Sequence, residues 1–186
     1  HSCALLTDGK IMCWGDNEDA TGDNFGQLGD GTTTSSSTVP VEVSNISTAT
    51  SIALGGFYSC AMLADGKVMC WGSNYGGNLG DGTTASTPSP VEVSGITTAT
   101  SIALGYSHSC ALLTDSTVKC WGYNYNGQLG DGTTTHSYTP VAVSGITTAT
   151  SIALGWDHSC AVLTDGTVKC WGWNDNGQLG DGSTTD

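Results

Sequence analysis

The sequence predicts an all-β fold, a β-propeller of four-stranded blades about 50 residues long. Three observations carry that prediction. One 15-residue unit occurs four times, as HSCALLTDGKIMCWG from His1, YSCAMLADGKVMCWG from Tyr58, HSCALLTDSTVKCWG from His108 and HSCAVLTDGTVKCWG from His158. The first cysteines of these copies stand 57, 50 and 50 residues apart. Each period also carries four short apolar or alternating runs, with no 3.6-residue periodicity anywhere. The 186 residues therefore hold about 3.7 repeats. They read as a single propeller segment, 1–186, with hairpins at 1–15, 58–72, 108–122 and 158–172, forming part of a ring.

The repeated unit is a β-hairpin whose register can be counted. Thr7-Asp8-Gly9 suits a three-residue loop, a type I turn closed by a left-handed glycine. Leu6 then faces Lys10, Leu5 faces Ile11, Ala4 faces Met12 and Cys3 faces Cys13. The last is a non-hydrogen-bonded pair, which brings Cα atoms to roughly 4.5 Å, inside the roughly 4.4–6.8 Å that a disulfide requires. The predicted disulfides are Cys3–Cys13, Cys60–Cys70, Cys110–Cys120 and Cys160–Cys170. In the third copy Ser116 stands where the others have glycine, so it must take the left-handed conformation at some cost or change the loop.

After the first hairpin, residues 16–25 replace a shorter link in the other copies and are rich in carboxylates and amides. Calcium near Asp16, Asp19 and Asp23 is conceivable there, but the spacing does not match an EF-hand and a solvated acidic loop explains it as well. The stretch GQLGDGTT from Gly26 returns as GNLGDGTT, GQLGDGTT and GQLGDGST. Its glycines at fixed offsets imply positive φ or close backbone approach, with the leucine anchored in the core. It is no phosphate loop, because no Lys-Ser/Thr follows and no helix opens after it. Next, PVEV from Pro40, PVEV from Pro90 and PVAV from Pro140 read as an outer or edge strand, since proline cannot donate to a ladder. The run SIALG, bounded by glycine, reads as a buried strand. Naming the strands D (PVEV), A (SIAL), B (SCAL) and C (KVKCW), the chain supplies B and C and then three D-A-B-C sets. The first unit thus lacks D and A. The chain starts at His1 inside a motif, as a processed or incomplete product does, and cannot close a ring without another segment or subunit.

Four Lys and no Arg oppose 17 Asp and Glu, for a net charge of −13. Nucleic acid and anionic lipid are bound chiefly through basic patches and are therefore excluded as partners. No apolar run is long enough for membrane insertion, and no signal-peptide pattern is present. A basic protein surface, a neutral glycan or a divalent cation is compatible with the charge, which also serves solubility. Eight cysteines in four identical pairs argue for an oxidising compartment, hence an extracellular or cell-surface location. Zinc is disfavoured, because no C-x-x-C occurs and Tyr58 replaces the recurrent histidine in one copy. No cofactor is expected.

The tract from Ala103 to Gly132, ALGYSHSCALLTDSTVKCWGYNYNGQLGDG, is similar to the repeat of the regulator of chromosome condensation family, whose units carry H-(S/T)-C-A-L, W-G-x-N and G-Q-L-G. The resemblance covers essentially the whole chain, four times over. It implies a seven-bladed propeller, about 350 residues at this period. Across that family the roles run from nucleotide exchange on a small GTPase with chromatin binding to inhibition of a secreted enzyme, and they share a protein-binding face.

Strand alternation places the A–B and C–D loops on one rim and the B–C and D–A connections on the other. The copies differ most in the first set, which collects Tyr106, Tyr123, Tyr125, Trp156, Asp157, Trp173 and Asp175. Exposed Tyr and Trp among small polar groups suit protein or sugar recognition. The alternative is that the rings pack between neighbouring loops. Trp14, Trp71, Trp121 and Trp171 belong to the invariant CWG and are assigned to the blade core. Asp157-His158-Ser159 is no triad, because neighbours on one strand face opposite ways; the recurrent histidine is expected to make a structural hydrogen bond.

Two functional readings follow. The first is a non-catalytic extracellular or cell-surface module that binds a protein or glycan through the aromatic rim. The second is a structural subunit of an assembly or filament, completed by strands from further copies of itself. Guanine-nucleotide exchange on a small GTPase is weaker, because it needs a cytosolic setting that paired cysteines oppose.

Overall fold

The computed structural model describes residues 1–18 and 21–186. Among the described residues fourteen strands form four antiparallel sheets. The first sheet holds β1 (Ser2–Leu5), β2 (Ile11–Asp16) and β3 (Ser36–Glu42), and the second β4 (Ala49–Leu54), β5 (Tyr58–Leu63), β6 (Val68–Gly72) and β7 (Thr87–Glu92). The third holds β8 (Ala99–Leu104), β9 (His108–Leu113), β10 (Val118–Gly122) and β11 (Ser137–Ala142), and the last β12 (Ala149–Leu154), β13 (His158–Leu163) and β14 (Val168–Gly172). Each sheet is one blade, and its strands pair in chain order.

The hairpin register is the counted one. Cys3 pairs with Cys13, Ala4 with Met12 and Leu5 with Ile11, and the Leu6 amide donates to the Lys10 carbonyl at 2.8 Å. All four disulfides form across this position with Cα atoms 4.1 Å apart. Ser116 keeps the loop by adopting φ 64°, against 80° at Gly9 and Gly66 and 82° at Gly166. The Thr117 amide (3.0 Å) and hydroxyl (2.6 Å) both donate to the Asp115 carboxylate and hold that turn in place.

The grouping of strands into blades differs from the D-A-B-C expectation. Val41 of the PVEV strand pairs with Cys13, and Val91 with Cys70, so each D strand closes the blade of the hairpin before it. A blade therefore runs A-B-C-D. Among the described residues the first blade shows B, C and D and the last shows A, B and C. Chain order cannot assign a connecting strand to the unit before or after it, whereas the paired backbone does.

The D strands lie at the sheet edges, as their prolines require. The SIAL strands lie at the opposite edges and are half-buried rather than buried, with Leu54 partly exposed. Their apolar character reflects packing on the A strands of neighbouring blades. The core divides into clusters that cross blade boundaries: Trp71 of the second blade packs with Ile11, Cys13 and Leu28 of the first, and Trp121 of the third with Leu79 and Val93 of the second. Trp71, Trp121 and Trp171 therefore occupy the seams between blades, not the centre of their own blade. In each C–D pair the register slips at this Trp, a bulge that turns its side chain out of the sheet.

Candidate functional site

The rim is built on four copies of one scaffold. In each C–D loop a fully buried asparagine, Asn17, Asn74, Asn124 or Asn174, organises the chain. Asn124 Oδ1 accepts from the Leu129 amide at 2.8 Å, while its Nδ2 donates to the carbonyls of Thr133 (3.1 Å) and Thr135 (3.0 Å). The other three make the same set. Leu28, Leu79 and Leu129 are buried as anchors.

A second repeated network joins blade to blade. The carbonyl of Gln27 accepts from Trp71 Nε1 and Ser59 Oγ, both at 3.0 Å, and His1 Nε2 lies 2.9 Å from that Ser59 Oγ. The carbonyl of Gln128 accepts from Trp171 Nε1 and Ser159 Oγ at 2.9 Å, with His108 Nε2 2.9 Å from Ser159 Oγ. The serine proton is used on the carbonyl, so the imidazole donates from Nε2 and Nδ1 is left as a bare acceptor. Burial, with His158 nearby, lowers the His108 pKa to about 3. In the middle seam Tyr58 replaces histidine. Its hydroxyl donates to the His108 carbonyl at 2.6 Å and lies 3.1 Å from Ser109 Oγ, while Trp121 Nε1 and Ser109 Oγ donate to the Asn78 carbonyl at 2.9 Å. Desolvation raises the Tyr58 pKa. The indole fits because residue 80 is glycine: a Cβ there would fall 2.7 Å from Trp121. Ser159 is thus committed to His108 and Gln128, not to His158.

On this scaffold Phe25 of the first C–D loop and the A–B loops of the next three blades set an aromatic ladder. Phe25 and Phe57 lie 6.2 Å apart, Phe57 and Tyr106 5.9 Å, and Tyr106 stacks on Trp156 at 4.5 Å. The C–D loops add a second cluster, in which Tyr123 stacks on Tyr75 at 5.8 Å and on His136 at 4.5 Å, and Tyr125 meets Tyr123 edge-on at 5.0 Å. Tyr75 and Tyr125 are each 66% exposed, Trp156 62% and Tyr106 37%. The rings pack on one another and also present open faces.

Tyr106, Tyr123, Trp156 and Asp157 line one hollow of about 160 Å³ together with Tyr75. Asp157 Oδ1 accepts from Gln128 Nε2 at 3.0 Å, and burial raises its pKa. Tyr125 stands beside this group. Trp173 is half-buried in the fourth C–D loop and Asp175 is exposed there, both apart from the hollow. Phe25, Phe57, Tyr75 and His136 join the rim without having been singled out. His136 is held by the Asn124 amide, which donates to its Nδ1 at 3.0 Å, and burial lowers its pKa.

Among the described residues no three His, Cys, Asp or Glu side chains gather to hold a metal. Of the calcium candidates, Asp19 lies outside the described residues and Asp16 is exposed. Lys10 and Lys67 pair with Glu42 (3.0 Å) and Glu92 (2.9 Å), and no lysine lines the rim hollows. No helix among the described residues is long and apolar enough to cross a membrane.

Four antiparallel blades, clasped in series and carrying variable loops on one rim, define the arc of a β-propeller. The model of the regulator of chromosome condensation repeat matches residues 1–27, 49–78, 99–128 and 149–178, and a second model of that repeat matches 65–112 and 116–162. The chain belongs to this repeat family. Among solved structures it is similar to human WBSCR16, at 24% identity and a TM-score of 0.83, over 98% of this chain and 48% of that one. It is also similar to yeast RCC1 (Prp20) in its complex with Kap60, at 22% identity and a TM-score of 0.81, over 96% of this chain and 43% of that one. Prp20p of Saccharomyces cerevisiae, described with its binding properties to Gsp1p and histones, matches at 22% identity and 0.79, over 96% and 44%. The chain spans less than half the length of each. No curated protein matches it.

Proposed function

We propose that this protein is a non-catalytic binding propeller that works outside the cell or at its surface and holds another protein through the aromatic rim. The observation that carries the reading is the pair of aromatic clusters, open to solvent on rigid, asparagine-braced loops. Large rings held at low conformational cost are the residues from which binding hot spots are made. Four hairpin disulfides support an oxidising setting. The similar yeast protein is described as binding Gsp1p and histones, and a protein ligand is the property taken from it; the charge of −13 favours a basic one.

The test compares the intact protein with Tyr106→Ala and Trp156→Ala against secreted proteins and a glycan array. A protein ligand lost at least tenfold in both variants, with thermal unfolding unchanged, is the expected result. A glycan signal abolished by Tyr123→Ala or Trp173→Ala makes the rim a sugar site instead. Unpaired thiols in the native protein overturn the extracellular assignment and bring nucleotide exchange forward. A second reading rests on the edges of β1 and β14, which carry no neighbouring strand among the described residues. Strands from another segment or another copy would complete them, and a native mass that is a multiple of the 18.9 kDa chain favours the structural role.

A further inference from the structure

The three seams are built alike, but the middle one is cut short on both sides. At the seam between the third and fourth blades, Gln128 of the GQLG stretch faces Asp157 of the next A–B loop. Its Nε2 donates to the Asp157 carboxylate at 3.0 Å and its Oε1 accepts from the Asn126 amide at 3.0 Å, so both ends of the amide have a partner. At the seam between the second and third blades the same two positions hold Asn78 and Ser107, each the shorter side chain. Where the longer pair would meet, there is a pocket of about 230 Å³. Phe25, Phe57, Tyr75 and Tyr106 line it, with Asn78 and Ser107.

Asn78 is 1% exposed, and its Nδ2 donates to the Ser73 carbonyl at 2.8 Å, which fixes the orientation of the amide. Its Oδ1 is buried with no partner. Gln27 Oε1 and His108 Nδ1 are unbonded as well, but of the three residues Asn78 is the one that lines a rim pocket. A buried acceptor left bare costs free energy that a donor would recover.

We propose that this pocket takes the amine of a lysine side chain presented by a protein partner, a step that rests on the protein-binding reading of the rim. The aromatic faces receive the alkyl stem and attract the ammonium through their quadrupoles. Asn78 Oδ1 accepts one of its protons at the base. A single acceptor suits a compact ammonium better than the five-donor guanidinium fork. The volume lies below the roughly 300 Å³ at which drug-sized ligand sites begin, so it fits one side chain rather than a sugar chain. The net charge of −13, and the absence of lysine from the pocket wall, complement a cation.

The test uses two short Gly/Ser peptides identical except at one position, lysine in one and norleucine in the other. Each is titrated against the full chain while the NMR signals of the Asn78 amide and Tyr106 are followed. The lysine peptide is expected to bind about tenfold more tightly, the worth of one hydrogen bond to a charged group. The double variant Asn78→Gln/Ser107→Asp recreates the pair the protein already carries at the next seam, so it keeps the fold and fills the pocket; the lysine preference is expected to vanish. Equal binding of the two peptides overturns the proposal, as does a preference that survives in the double variant, or a neutral oligosaccharide that moves these signals when neither peptide does. Equal binding that Tyr106→Ala weakens sinks the amine assignment and leaves the rim reading intact. If neither peptide nor oligosaccharide moves any rim signal, both fall.

Discussion

His108 carries a pH dependence that can be worked out from its bonds. An unfolded histidine titrates near 6.5, whereas the folded imidazole is held neutral down to about 3 by burial. Between those values the unfolded chain binds a proton that the folded chain refuses. The stability tied to His108 is therefore complete above about pH 6.5 and drains away as the pH falls toward 3. His108→Tyr, which copies the natural Tyr58, is expected to flatten this decline, measured as the loss of denaturation midpoint between pH 7 and pH 4.5. At the same scale, the left-handed Ser116 is legible in the sequence because three glycines stand in its place. The partners of His108 are not. Ser159 Oγ lies 51 residues away and the shared acceptor is a main-chain carbonyl, which leaves no mark in the side-chain pattern.

Hairpins are the elements that local chemistry specifies best, since a turn of known length sets the register and the register sets the cysteine pairs. Each disulfide closes a small loop, worth roughly 2–3 kcal/mol by loop entropy, and less where the hairpin is already ordered. Full reduction is expected to lower the melting temperature while the far-ultraviolet β signal persists below it. Unchanged melting after complete reduction would contradict this. The D strands were legible as edges from Pro40, Pro90 and Pro140, but their blade was not, because pairing with β2, β6 or β10 is a tertiary choice. The SIAL strands read as buried because apolarity does not distinguish a sheet centre from a face packed on neighbouring blades. The C–D loops hid their organiser for another reason. Asn74 and its equivalents are the asparagine of W-G-x-N and recur in all four copies, which marks the position, but a motif letter does not say that the side chain is buried or which carbonyls it spans.

Across the whole molecule, cohesion comes from the seams, each with one tryptophan, fully buried at Trp71 and Trp121 and partly buried at Trp171, and a shared carbonyl. Trp121→Ala removes a fully buried ring and one of the two donors to the Asn78 carbonyl. It is expected to cost about 3–5 kcal/mol. Because each repeat touches chiefly its neighbours, calorimetry should resolve two transitions in this variant, one from each side of the weakened seam; a single cooperative transition would mean that coupling reaches further than adjacent blades. The aromatic rim was legible from the differences between copies. Its hollows were not, because they depend on which rings stack and on the shortening of two residues in different repeats.

Every repeat carries both halves of the clasp. It brings a serine and an indole for the blade behind, and a carbonyl and a histidine or tyrosine for the blade ahead. Duplicating or deleting one 50-residue period therefore adds or removes a complete joint and leaves no orphaned donor on either side. A gene encoding such a chain can grow or shrink by unequal recombination without first breaking what it encodes, while the rim loops of each new copy are free to drift toward a different ligand.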